Sequence, residues 1–317
     1  MPVLLPSKSS IGLRIAGSAL GLLTLAASPA LGQVDIPVPN HSFEAPTTLF
    51  AWPDADVWEE SGPLSEDPQL PGIRDTLDTG LFFNSPVDEN GDPSPFFISN
   101  ADGGQLGFIF AADDDDIAFF QQLNVPFEAG AAYTLKVDVG ESFFFPPLTY
   151  NPNDPNPPPD PDPALLALRL YYKDALMQKV TLAERLVSAD ELPKGFDAGV
   201  LLAEFAAITG FSVPTDAWPG QPIGVEIRPF DGLSGVWNLD NVRLAVDCGP
   251  GGLAGDANVD GSIDLLDHSA FAACITGPRG VSRPAACPPC AFKRLDSEGD
   301  GDLDLLDFAE LAVSLSP

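Results

Sequence analysis

The feature that most constrains this chain is a twelve-residue acidic pattern that occurs twice near its end. Asp256, Asn258, Asp260, Gly261, Ser262, Asp264 and Asp267 stand at positions one, three, five, six, seven, nine and twelve of an EF-hand-like loop. Forty positions later, Asp296, Glu298, Asp300, Gly301, Asp302, Asp304 and Asp307 repeat the arrangement. Calcium is a hard cation that takes six to eight oxygen ligands; alternate side chains of such a loop converge on it, and position seven lends its carbonyl. Glycine at position six permits the sharp turn. Each pattern then enters an apolar stretch through matching segments, Ser262-Ile263-Asp264-Leu265-Leu266-Asp267 and Asp302-Leu303-Asp304-Leu305-Leu306-Asp307. The reading is two loops that bind Ca2+, each followed by one short helix, against the alternative of a solvated acidic surface.

Each loop lacks a convincing entering helix and ends in Asp rather than Glu, unlike intracellular EF-hand sensors. The stretch from Gly255 to Pro317 resembles a type I dockerin. That resemblance implies two F-hand motifs, calcium-dependent folding, and docking onto a cohesin-like domain through loop positions ten and eleven, here Leu265, Leu266, Leu305 and Leu306. The same leucines have a second reading as core between two short helices, because a module this small needs most of its apolar residues inside. Two features depart from the family. Glu298 is longer than the usual Asp or Asn at position three, and a cysteine-bearing insert widens the gap between repeats, so the second loop is expected to bind more weakly.

The chain holds 46 Asp and Glu against 15 Lys and Arg, a formal net charge of -31. Nucleic acid and anionic membranes would be repelled over the whole surface, and cations favoured. Residues 1–32 read as a secretory signal: Lys8 and Arg14 precede an uncharged run from Ile15 to Leu25, and Ala27, Ser28, Ala30 and Gly32 supply small residues for cleavage. A secreted or cell-surface location follows. The run is short for a bilayer span, and no later segment is long and apolar enough to insert in a membrane. In an exported chain the four cysteines, Cys248, Cys274, Cys287 and Cys290, are expected to form disulfides. A zinc site is the competing reading, but His41 and His268 complete no zinc signature. Of three pairings, bonding of Cys274 to Cys287 or Cys290 is preferred, because it closes the insert between the loops.

From Gln33 to Asp247, short β-type runs alternate with Gly, Pro, Asn and Asp clusters, which predicts a mainly β fold, an antiparallel sandwich. The clearest strands are Ile117 to Val125, Tyr133 to Val139, Leu165 to Tyr172, Ile223 to Ile227 and Trp237 to Ala245, with a helical turn expected around Leu182 to Leu192. The proline-rich stretch 146–163 cannot donate a sheet ladder and reads as an extended surface loop. Residues 248–254 read as a turn-rich linker to the module at 255–317.

The opening Val38-Pro39-Asn40-His41-Ser42-Phe43-Glu44 and the closing Trp237-Asn238-Leu239-Asp240-Asn241-Val242-Arg243-Leu244 resemble the first and last strands of jelly-roll, galactose-binding-like modules, a frame shared by many carbohydrate-binding modules. The resemblance implies a polysaccharide ligand and a structural calcium, which here would fall to Glu44 and Asp240. The run Asp113 to Asp116 reads as a solvated turn whose like charges repel. Trp52, Trp58, Trp218 and Trp237 are candidates for stacking on a sugar ring, with core packing as the stronger reading. No nucleophile or metalloenzyme motif stands out, and with so many carboxylates some pair will reach glycosidase spacing by chance. The chain therefore reads as a non-catalytic binding and assembly protein. A polysaccharide-degrading enzyme and a structural envelope protein are the alternatives.

Overall fold

Alternating apolar positions in the chain up to Asp247 pair into two antiparallel sheets. The computed structural model describes residues 33–48, 55–61, 79–94, 96–111, 117–141, 164–193, 201–213, 215–230, 235–249, 253–278, 283–284 and 286–315. Residues 1–32, expected as a secretory signal, Trp52, the run Asp113 to Asp116 and the proline-rich stretch lie outside the described residues. Among those described, eleven strands are formed: β1 (Val34–Ile36), β2 (Glu59–Ser61), β3 (Thr79–Phe83), β4 (Gln105–Ala111), β5 (Ala118–Pro126), β6 (Ala132–Glu141), β7 (Leu165–Lys173), β8 (Lys179–Ser188), β9 (Ala203–Ile208), β10 (Pro222–Phe230) and β11 (Gly235–Asp247). One sheet runs β3-β4-β11-β6-β9 with β1 added against β11, and the other runs β2-β5-β10-β7-β8.

Period-two alternation gives each sheet one face toward a shared core. In β5 the side chains of Phe119 and Leu123 are buried, and in β6 Tyr133, Leu135, Val137 and Val139 are fully enclosed. Aromatic rings lock the interior. Phe43 stacks on Trp58 at 5.4 Å, and Phe127 meets the edges of Tyr133 and Trp218 at 4.9 and 5.2 Å. Trp237 is buried as well, so the described tryptophans pack the core rather than offer a sugar platform.

The helical turn within Leu182 to Leu192 is confined to the end of that segment. Most of it is β8, paired along β7 from Ser188↔Leu165 to Lys179↔Lys173, and only Ala189–Glu191 forms a 3-10 turn, capped by Ser188. Good helix formers such as Ala183, Glu184 and Leu186 are held extended by ladder bonds, a tertiary override of weak local propensity.

Three helices follow the sandwich: α1 (Leu265–Cys274), α2 (Pro289–Leu295) and α3 (Leu305–Ser314). The second repeat therefore does have an entering helix, since α2 leads into Asp296. Its start is set by Pro289 at the first helical position, where the missing N–H costs nothing. Phe271, Leu295, Leu303 and Leu311 form a small second core with the Cys274–Cys287 disulfide.

A second disulfide, Cys248–Cys290, joins the end of β11 to α2. Beside it the Glu128 carboxylate accepts from the Cys290 and Ala291 backbone N–H groups at 3.0 and 3.1 Å. Arg294 is 5 % exposed and donates to the carbonyls of Cys248 at 3.1 Å, Ala129 at 3.5 Å and Ala257 at 3.5 Å. The joint expected at 248–254 is thus bridged by a covalent bond and a buried polar network.

Candidate functional site

The two acidic loops fold alike down to single hydrogen bonds. In the first, the Asp256 carboxylate accepts from the N–H of Asp260 and Gly261 at 3.2 and 3.0 Å; in the second, Asp296 accepts from Asp300 and Gly301 at 3.2 and 3.1 Å. Gly261 and Gly301 have φ of 87° and 88°, the left-handed region that a Cβ disfavours. At position twelve, Asp267 accepts from Ala257 and Asp264 N–H, and Asp307 accepts from Ser297 and Asp304 N–H, all at 2.8–2.9 Å. Asp264 and Asp304 cap α1 and α3, completing capping boxes with Asp267 and Asp307.

These bonds draw Asp256, Asp267 and Asp307 inward, where they are buried, as is Asp302. The donors are hard oxygens, as calcium requires, and ligand atoms of Glu298, Asp304 and Asp307 lie within 4.8 Å of one another. Crowding shows in the electrostatics. Local desolvation and then the neighbouring charges of Asp300, Asp307, Asp304 and Asp302 push the Glu298 carboxyl up, and burial pushes Asp296 up. A divalent cation at these oxygens would relieve that repulsion. Asn258, Asp260 and Ser262 complete the first loop in order, with Asn258 Nδ2 donating to Asp260 at 2.9 Å and the Ser262 N–H donating to Asp260 at 2.9 Å.

The four candidate docking leucines are on the surface. Leu265 and Leu266 are 77 and 62 % exposed, and Leu305 and Leu306 are 76 and 61 % exposed. The core reading of these residues is thereby removed: their places inside are taken by Phe271, Leu303 and Leu311, together with the cysteines of the insert.

Glu44 and Asp240 each accept from backbone N–H groups of the same turn, residues 102–105. Glu44 Oε1 accepts from Gly104 and Gln105 N–H at 3.0 and 2.9 Å, while Asp240 accepts from Asp102 N–H at 2.6 Å and Asn241 N–H at 2.7 Å. Asp240 is fully buried, which raises its carboxyl to about 7, with Asp102 and Asp138 adding like charge. His41 Nε2 stands 3.7 Å from Asp102 Oδ2. A cation beside Asp240 would offset the burial of its charge.

The outer face of the β2-β5-β10-β7-β8 sheet carries a cleft that sequence reading missed, lined by Arg169, Tyr171, Lys179, Thr181, Glu226 and Arg228. Its signal was the outward half of each alternation, Arg169 and Tyr171 in β7 and Glu226 and Arg228 in β10. Only pairing across strands gathers them.

No family model matches the chain, and no curated protein matches it. Among solved structures the chain is similar to the Stig cyclase Fisc from Fischerella sp. TAU, at 19 % identity and a TM-score of 0.49, over 69 % of this chain and 100 % of that one. It is also similar to a CBM22-1 xylan-binding domain from Paenibacillus barcinonensis, at 11 % identity and a TM-score of 0.33, over 70 % and 96 % of the two chains. TmCBM61 in complex with β-1,4-galactotriose aligns at 14 % identity and a TM-score of 0.33, over 65 % and 95 %. These likenesses concern overall strand arrangement, and no ligand or reaction is carried from them to this chain. Among the described residues, no helix is long and apolar enough to cross a membrane.

Proposed function

We propose that this is an exported, calcium-binding, non-catalytic binding and assembly protein. Its sandwich, residues 33–247 in a jelly-roll arrangement, engages polysaccharide, and its dockerin-like module, residues 255–317, couples it to a cohesin-type partner. The observation that carries the reading is the repeated loop-helix unit: two sets of acidic oxygens with matching backbone bonds at positions one, nine and twelve, each leading into a helix whose first turn exposes a leucine pair. Calcium at Asp256, Asn258, Asp260, Ser262, Asp264 and Asp267, and at the matching six residues of the second loop, neutralises the clustered carboxylates and fixes the pose of α1 and α3. Glu44 and Asp240 offer a further cation position in the sandwich. The partner then meets Leu265-Leu266 or Leu305-Leu306 in either of two equivalent orientations, an apolar contact that calcium controls without touching.

Calorimetry of the full chain against a type I cohesin domain tests this. Affinity is expected with calcium and none with chelator; charged replacements of Leu265 and Leu266 alone should leave binding through Leu305 and Leu306, and replacement of all four should abolish it. Full loss from the first pair refutes equivalence, and unaltered affinity in a folded quadruple variant refutes the docking face. On a polysaccharide panel, retention without product supports binding, whereas released reducing sugar would assign catalysis instead.

A further inference from the structure

The chain has only 15 basic residues, yet three of them converge on one point of the five-stranded sheet's outer face. Glu226, 3 % exposed in β10, sits under Arg169 at 3.3 Å, Arg228 at 3.9 Å and the Lys179 ammonium. Arg169 also holds Glu184 at 2.5 Å. Lys179 lies 3.8 Å over the Phe120 ring and 5.0 Å from the Tyr171 ring centroid. The floor is shaped by Gly224, across from Tyr171 in the ladder: a Cβ there would come within 2.4 Å of the Tyr171 ring, so the absent side chain is what lets that ring lie down. The result is a cleft of about 350 Å³, the lower end of the range for small-ligand sites.

Tyr171 marks the cleft as a binding site rather than a structural ion-pair cluster. It is 1 % exposed and lines the cleft, yet its hydroxyl has no hydrogen-bond partner among the described residues. A buried phenol left unpaired costs free energy that a ligand oxygen would recover. Three cations face two carboxylates, Glu226 and Glu184, so one positive charge is left over for an anion, while Thr181, Ser61 and Glu226 match hydroxyl groups. The mixed signs do not suit a run of anions, and the whole protein, at -31, repels a continuous polyanion. A single anionic group is different, because beyond about 8 Å physiological salt screens the remaining acid residues and the local cations decide.

We propose that this cleft binds a largely neutral saccharide chain through an isolated carboxylate-bearing sugar, a uronic acid unit. The inference rests on the polysaccharide-binding reading of the sandwich and assigns that reading a place and a ligand class. The carboxylate lies across Arg228 and Lys179, and the Tyr171 hydroxyl donates to a ring or hydroxyl oxygen of the same sugar.

The test is an NMR titration of the full chain with methyl glucuronoside, methyl glucoside and a methyl glucoside sulfate, run beside retention on neutral and uronate-bearing polysaccharides. The glucuronoside is expected to bind about tenfold more tightly than the glucoside. Arg228→Gln and Lys179→Gln should each remove most of that preference, and Tyr171→Phe should weaken both sugars alike. Equal affinity for glucuronoside and glucoside, a preference that survives both charge variants in folded protein, or tighter binding of the sulfate overturns the proposal. Retention on a neutral polysaccharide without response to the glucuronoside discards this site and leaves the glycan-binding reading standing; no binding to any saccharide discards both.

Discussion

The carboxylate of Glu128, in the turn after β5, accepts from the backbone N–H of Cys290 in α2 at 3.0 Å, across a sequence distance of 162 residues. Cys290 is bonded through sulfur to Cys248, so the same residue carries both a covalent and a charge-assisted link from the C-terminal helices to the sandwich. Burial raises the Glu128 carboxyl, while those N–H groups and the Arg294 guanidinium oppose the rise. Arg294 continues the seam to the Ala257 carbonyl inside the first acidic loop. The C-terminal helices are therefore attached to the sandwich along this seam.

Removing the seam disulfide should cost more than removing the disulfide within the module. The Cys248–Cys290 bridge closes a separation of 42 residues and Cys274–Cys287 one of 13, which corresponds in the chain-entropy account to about 4 and about 3 kcal/mol. Serine double variants compared by denaturant unfolding check the order. Glu128→Ala should add a loss of about 3 kcal/mol, because it leaves buried N–H groups and Arg294 without their anion.

Asp240 predicts a pH dependence of known sign. Its carboxyl is at about 7 in the folded chain and near 3.8 unfolded, so the folded state binds the proton more tightly. Stability from this group is greatest at acid pH and is lost as pH rises from about 4 through 7, by about 1.4 kcal/mol per pH unit at the steepest. The difference in unfolding free energy between the parent and Asp240→Asn, measured in chelator at pH 5, 6, 7 and 8, should fall with pH and then level off. If Glu44 and Asp240 hold calcium, adding the ion flattens that slope.

Gly224→Ala should destabilise the sandwich by about 1–3 kcal/mol, since the new methyl group must displace the enclosed Tyr171 ring. Thermal unfolding checks the loss, and the same variant should reshape the cleft.

How much of this was legible follows the range of the forces involved. The five strands expected from apolar patterning appear in the structure within three residues of their expected bounds, because a one-residue slip would turn Phe119 or Val137 to solvent. β8 was hidden because Ala183, Glu184 and Leu186 favour helix locally and only β7 holds them extended. The sharp turns of the two acidic repeats were legible, since Gly261 and Gly301 permit the positive φ that they adopt and that spacing is local. What the sequence could not reveal are relations across the chain: Cys248 finding Cys290, Glu128 reaching α2, and Arg169, Lys179 and Glu226 meeting from three strands. The exposure of Leu265 and Leu305 was likewise undecidable, because it depends on the cysteine-bearing insert filling the module's core.

Unequal loops predict unequal losses. Asp256→Ala should impair the first loop more than Glu298→Ala impairs the second, because Asp256 anchors two backbone N–H groups while Glu298 is exposed. Calcium titrations of the two variants, followed by calorimetry, compare them directly.

Two calcium sites, one in each acidic loop, follow from the proposed function, and the number of bound ions decides the point. Native mass spectrometry of the intact chain in millimolar calcium, compared with an Asp256→Ala/Asp296→Ala variant, should show two fewer calcium ions on the variant, with circular dichroism of the parent losing helical signal in chelator. An equal number of bound ions on the parent and the variant would rule out calcium in these loops.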